Sequence, residues 1–211
     1  MTADQPDKGE QRLIDRMLFF SDAIFAIAMT LLILELRPPF GAATTAEVLS
    51  NILNRGVVFG MSFALVAAFW AGHLSSMRRL IRFDWLALWA NLFFLFTILL
   101  MPFASAMLGA GFEFKTSWTI YCTALVTASV AQTLLAMATM RDNGRLMGGV
   151  TPRAVAARLF RTASPGIAFG MGLALLFIDA TALSQWCWLL VFPLLIGANM
   201  ISRDPKRAKA K

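Results

Sequence analysis

The 211-residue chain has one histidine, one tyrosine and two cysteines, and only 15% of its residues are charged. Each scarcity closes off a class of chemistry. A single histidine, His73, excludes a multi-histidine metal site within one chain. Cys122 and Cys187 both fall inside apolar runs, so a disulfide is not expected and compartment cannot be read from them. No phosphate-binding loop, zinc-ligand cluster, nucleophile elbow or pair of catalytic carboxylates occurs. Ser62 or Ser75 could be set beside His73 as nucleophile and base, but nothing in the sequence orients them. An enzyme is not expected, and neither is a cofactor.

What fills the chain instead is apolar surface, 58% of residues with a mean hydropathy of +0.68. That composition predicts an all-α polytopic membrane protein. Six spans of suitable length can be placed, at about 17–36, 55–76, 85–108, 117–140, 163–179 and 184–201. They make one transmembrane domain over 16–201, between a polar segment at 1–15 and a basic tail at 202–211. Residues 1–11 read as loosely ordered. A signal peptide is disfavoured, because the first span is too long and contains Asp22. Pro38 and Pro39 stop the first span, Thr45 is a candidate cap for a short lead-in to the second, and Pro102 predicts a kink in the third. In the fifth, Gly166 and Gly170 form a small-xxx-small pair behind Pro165, suited to close helix packing.

The formal net charge of +7 would suit nucleic acid, but the basic residues are not gathered on one face. Sixteen of the nineteen lysines and arginines fall on the side of the bilayer where the chain begins. Only Arg37, Arg55 and Lys115 fall on the other. This bias places both termini in the cytoplasm and argues against a nucleic-acid partner. Membrane lipids are the expected surroundings, and the cell membrane the expected location.

The most informative stretch is the first span, Arg16 to Arg37, RMLFFSDAIFAIAMTLLILELR. A carboxylate within a span costs about 2.5–3.5 kcal/mol on insertion scales, so Asp22 should face protein or water. At about 100° per residue, Phe20, Ile27 and Leu34 fall within about 20° of one line, with Ala23 and Leu31 beside it. Thr30 lies about 60° off, and Asp22 points about 140° from Ile27. Such a stripe suits lipid or helix contact, or an aliphatic constriction around a water path. Periodicity does not choose between these.

Depth can be compared across spans once orientation is set. Asp22 lies about 9 Å inward from Arg16, His73 stands at a similar level on the descending second span, and Asn91 is somewhat deeper on the third. With Ser21, and with Arg16 near the mouth, these five residues are expected to form an inter-helix polar network. It could be a structural clasp, a gating hinge or a protonation site, since histidine titrates near neutral pH.

The string Arg16-x-x-x-Phe20-Ser21-Asp22, continuing AIFAIAMTLLILEL, resembles the signature of the lysosomal potassium-channel family called transmembrane protein 175, in its prokaryotic branch. Trp70 and His73, Asn91-Leu92 and Pro102-Phe103 extend the resemblance over residues 16–103. It implies a potassium-permeable channel built of six-helix units. One unit per chain then implies a homotetramer with four first spans around a central pore. By the same resemblance Ile27, Leu31 and Leu34 form the constriction, and Thr30 is tied to selectivity, with potassium passing transiently near it. The TVGYG filter of ordinary potassium channels is absent, so moderate selectivity of a leak type is expected. Glu35 stands near the outer mouth, where an acid would concentrate cations. Two other readings stay open: a proton-conducting or proton-coupled pathway through Asp22 and His73, and a non-conducting membrane scaffold.

Overall fold

Thr44 and Glu47 decide where the second helix begins. In the computed structural model, which describes residues 8–36, 44–109 and 113–202, the Glu47 N–H donates to the Thr44 hydroxyl at 3.3 Å. The Thr44 N–H donates back to the Glu47 carboxylate at 3.2 Å, completing a capping box. Helix α2 then runs unbroken over Thr45–Met77. The expected cap at Thr45 and the separate lead-in are both corrected. No proline falls between the cap and Met77, and the glycines on the way, Gly56, Gly60 and Gly72, cost too little to stop a helix this long.

Helix α1, Lys8–Leu31, also starts earlier than expected, so residues 8–11 are helical rather than loose. Ile14 and Met17 are buried, and Gln11 donates to the Asp15 carboxylate one turn on, at 3.1 Å. The helix tightens into a 3₁₀ turn over Leu32–Leu36, just ahead of Pro38, whose ring disfavours helical geometry in the residue before it. Residues 1–7, the Pro38-Pro39 stop and the tail from 203 onward lie outside the described residues.

The third span is two helices, α3 (Trp85–Leu99) and α4 (Met101–Gly109), broken at Leu100. Pro102 has no N–H to offer the Ile98 carbonyl one turn back, so the expected kink falls where the helical bond is lost. Helix α5 spans Phe114–Gly144. Helix α6 spans Pro152–Phe177, beginning eleven residues before the expected 163. Thr151 caps it by accepting from the Ala154 N–H at 3.3 Å, and Pro152 takes the first position, where a missing N–H costs nothing.

The sixth span departs furthest from expectation. A short helix α7 (Thr181–Ser184) and a 3₁₀ turn (Cys187–Leu190) precede α8 (Val191–Ser202). Pro193 sits in the first turn of α8, the one place in a helix that tolerates it, which forces a fresh start at Val191. Five helical stretches among the described residues are therefore long and apolar enough to cross a membrane, and Cys187–Ala198 is a shorter apolar sixth.

Helix α5 is the axis of the bundle. Tyr121, Cys122, Leu125, Ala128 and Ala131 are fully buried along it. Ser62 on α2 lies 2.9 Å from the Tyr121 hydroxyl and 3.0 Å from Ser105 of α4. The Gln132 amide donates to the Phe69 carbonyl of α2 at 2.9 Å. The Trp118 indole donates to Ser184, which donates in turn to the Gly172 carbonyl. Cys122 and Cys187 are buried free thiols.

Candidate pore helix and its polar clasp

Helix α1 has two unlike faces. Ile14, Met17, Ser21, Phe25, Ala28 and Leu32 are buried, at the three- and four-residue spacing of one helical stripe. On the other side Phe20, Ile27, Leu31 and Leu34 are 51%, 49%, 40% and 50% exposed. Thr30 is exposed among them. The 3₁₀ turn alters the register of that outer stripe. At about 120° per residue, Leu34 stays over Leu31, about 40° from Ile27, rather than swinging back over it.

The Thr30 hydroxyl donates to the Ile27 carbonyl of its own helix at 2.9 Å. Its proton is thereby committed, and the oxygen lone pairs are what the residue presents outward. An oxygen held this way has no proton left to donate and is open to a donor or a cation.

On the inner face, the expected five-residue network divides in two. His73, Asn91 and Ser21 are all buried and form one chain of bonds across three helices. His73 Nε2 lies 2.7 Å from Asn91 Oδ1, Asn91 Nδ2 donates to Ser21 Oγ at 3.0 Å, and Ser21 donates to the Met17 carbonyl at 2.8 Å. With the Asn91 carbonyl accepting, Nε2 carries the imidazole proton. His73 Nδ1 is then a bare acceptor, buried and without a hydrogen-bond partner among the described residues. Phe25 and Phe94 pack on the imidazole, each with ring centroids 5.7 Å away.

Asp22 is bound separately. Its carboxylate accepts from the Trp70 indole at 2.9 Å, three residues before His73 on α2. Arg16 is exposed and takes no part in either set of bonds. The Asp22–Trp70 bond was not foreseen, although the one-turn spacing of Trp70 and His73 on one helix face was a signal for it. Glu35 lies at the end of the first span. It is half-buried, and a Cβ on Gly109 would meet its carboxylate at 3.9 Å and the Arg55 stem at 4.0 Å. Arg55 further donates to the Glu35 carbonyl at 3.3 Å, which ties the start of α2 to the end of the first span.

Residues 16–102 match the family described as endosomal/lysosomal potassium channel TMEM175. A potassium channel of a Chryseobacterium species is 31% identical over 129 residues, which cover 61% of this chain and 66% of that relative. A potassium channel of Chamaesiphon minutus is 29% identical over 186 residues, covering 84% of this chain and 88% of the relative. The fold is similar to the crystal structure of a lysosomal potassium-selective channel TMEM175 homolog from Chamaesiphon minutus, with a TM-score of 0.74 and 23% identity. That likeness covers 89% of this chain and 99% of the other.

Proposed function

This chain belongs to the endosomal/lysosomal potassium channel TMEM175 family, and from that premise we propose that it is a moderately selective, leak-type potassium channel of four identical chains. In this reading four copies of α1 surround the pore. Ile27, Leu31 and Leu34 narrow it, and Thr30 supplies an oxygen layer.

The observation that carries the reading is the division of α1. Its inner face is pinned to α2 and α3, while its outer face combines an aliphatic stripe with a hydroxyl whose proton is already used. Thr119 and Thr127 bond their own helix in the same way, so it is the place of Thr30 beside the aliphatic stripe that supports the reading. An ion squeezed past aliphatic rings sheds part of its water and needs replacement oxygens, which Thr30 offers. Potassium gives up water more readily than sodium, so a lining with few oxygens favours potassium moderately. Both termini are assigned to the cytoplasm on the distribution of lysine and arginine.

A test is reconstitution of the full chain into liposomes carrying a potassium gradient, with flux followed by a potassium-sensitive dye. Potassium flux above that of empty liposomes supports a channel, and none would leave the scaffold and proton-pathway readings.

The unpartnered Nδ1 of His73 gives a proton pathway its one specific support. Against it, Asp22 bonds Trp70 rather than His73, and among the described residues the only side chain hydrogen-bonded to His73 is an amide, a poor proton relay. Currents lost in Asp22→Asn but normal in Thr30→Ala would favour the proton route. The opposite pattern favours the potassium pore.

A further inference from the structure

A second site lies at the end of the bundle where α1 begins, away from the outer face of that helix. Four arginines from two helices line one cavity of about 450 Å³: Arg79 just past the end of α2, and Arg153, Arg158 and Arg161 on the opening turns of α6. Ser75 and Thr151 line it as well. Topology explains a basic loop on this side of a membrane, but a loop would scatter its charges. Here the early start of α6 winds three of them onto successive turns of one helix, at positions 153, 158 and 161, facing the end of α2.

Arg158 is the residue that makes this a built site. It is half-buried, and the charges acting on it are those of Arg79 and Arg161, both of its own sign. Its guanidinium donates one N–H to the Met147 sulfur at 2.9 Å, a weak acceptor that fixes its position without neutralising it. Like charges converging on a part-buried guanidinium are unfavourable unless an anion joins them. The amino end of α6 points its positive pole into the same space.

From this arrangement we infer that the cavity between the end of α2 and the start of α6 binds a phosphate group, with Arg79, Arg158 and Arg161 as its principal ligands. Guanidinium forks match phosphate oxygens two at a time, and a phosphomonoester carries about −1.5 to −2 charges for several of them to share. The volume corresponds to about fifteen water molecules, so one phosphate leaves room for more of its parent molecule. Basic pockets between transmembrane helices hold lipid headgroups in this way. A headgroup and a free phosphate would meet the same chemistry.

The test uses the full chain in detergent, titrated with dihexanoyl phosphatidic acid, dihexanoyl phosphatidylcholine or inorganic phosphate, with binding read from the thermal shift. The phosphatidic acid is expected to bind saturably and at least tenfold more tightly than the phosphatidylcholine. Arg158→Gln should weaken it tenfold or more, while Arg145→Gln, which removes an arginine outside the cavity, should change it less than twofold. Inorganic phosphate that competes at equal concentration assigns the site to free phosphate; failure to compete assigns it to a headgroup. Equal binding of the two lipids without phosphate binding overturns the inference, as does an equal loss in Arg145→Gln. Should Arg158→Gln fail to fold, Arg79→Gln at the exposed end of α2 must show the same tenfold weakening, and an unchanged affinity there refutes the site.

Discussion

Helices α1 and α5 are both apolar and both hold hydroxyls, yet the chain uses them in opposite ways. Half of the most apolar window of α5 is buried inside the chain, against 28% for that of α1. Around α5, side chains reach directly into neighbouring backbone, as Gln132 does at the Phe69 carbonyl, and α6 comes very close. Gly166 lies so close that a Cβ there would meet Ser129 Oγ at 2.8 Å. The Ser129 hydroxyl stands between the Gly166 N–H, from which it accepts at 2.9 Å, and the Thr162 carbonyl, to which it donates at 2.6 Å. A straight helix would pair those two groups directly, so α5 has inserted a side chain into the ladder of α6. Around α1, contact is made by side chains reaching across, at Ser21 and Asp22. The difference separates a fixed scaffold from a pinned helix. Four copies of a helix pinned on one face can turn the other to a common axis, whereas α5 keeps only a narrower outer stripe through Val130, Leu134 and Met137.

The comparison breaks most easily at Gly166. Replacing it by valine drives two methyl groups into Ser129, and overpacking of this kind costs about 1–3 kcal/mol, to which loss of the hydroxyl relay adds. We expect the melting temperature in detergent to fall by roughly 5–10 °C. A Gly166→Val chain that melts like the parent would mean that α5 and α6 are not in close contact.

Asn91 sharpens the other half. Asn91→Leu leaves His73 Nε2 and Ser21 Oγ buried with one partner fewer each, at about 1–3 kcal/mol, and detaches α3 from both α1 and α2. Both the melting temperature and potassium flux should fall. Ser21→Ala removes a single interhelical bond and should cost about 0.6 kcal/mol, near the average measured for such bonds in membranes. If the two variants were equally damaging, the chain of bonds would not be centred on the amide.

Much of this was legible before any coordinates. The apolar lengths give five of the spans, and the wheel of α1 separates Asp22 from the Ile27–Leu34 side because a helical period survives wherever the backbone stays α-helical. The 3₁₀ turn at Leu32–Leu36 lay beyond that reasoning, since the angle per residue itself changes there. Asp22 and His73 could be placed at one depth, and Asn91 somewhat deeper, from their distances to flanking arginines, but depth does not fix partners. The indole of Trp70, counted only as part of a resemblance, took the carboxylate. The early starts of α2 and α6 were missed because polar opening turns carry no hydropathy signal, although Thr44-x-x-Glu47 and Thr151-Pro152 mark both. Missing the second of these hid the arginine cavity.

The smallest expected effect bears most directly on α1. Thr30 is exposed and, among the described residues, its hydroxyl bonds only to its own backbone, so Thr30→Ala should leave the melting temperature unchanged within about 1 °C. In the pore reading the same substitution removes four oxygens, one from each chain, leaving potassium and sodium only water as they pass the aliphatic rings. The potassium-over-sodium permeability ratio, measured by reversal potential in bilayers, should fall about twofold, equivalent to roughly 0.4 kcal/mol. Thr30→Ser keeps the oxygen and the bond to Ile27 and should preserve the ratio. A variant pair that changes stability but not selectivity would place Thr30 in a packing contact. One that changes neither would turn that side of α1 toward lipid, and α1 would then be an ordinary outer helix rather than one facing an axis.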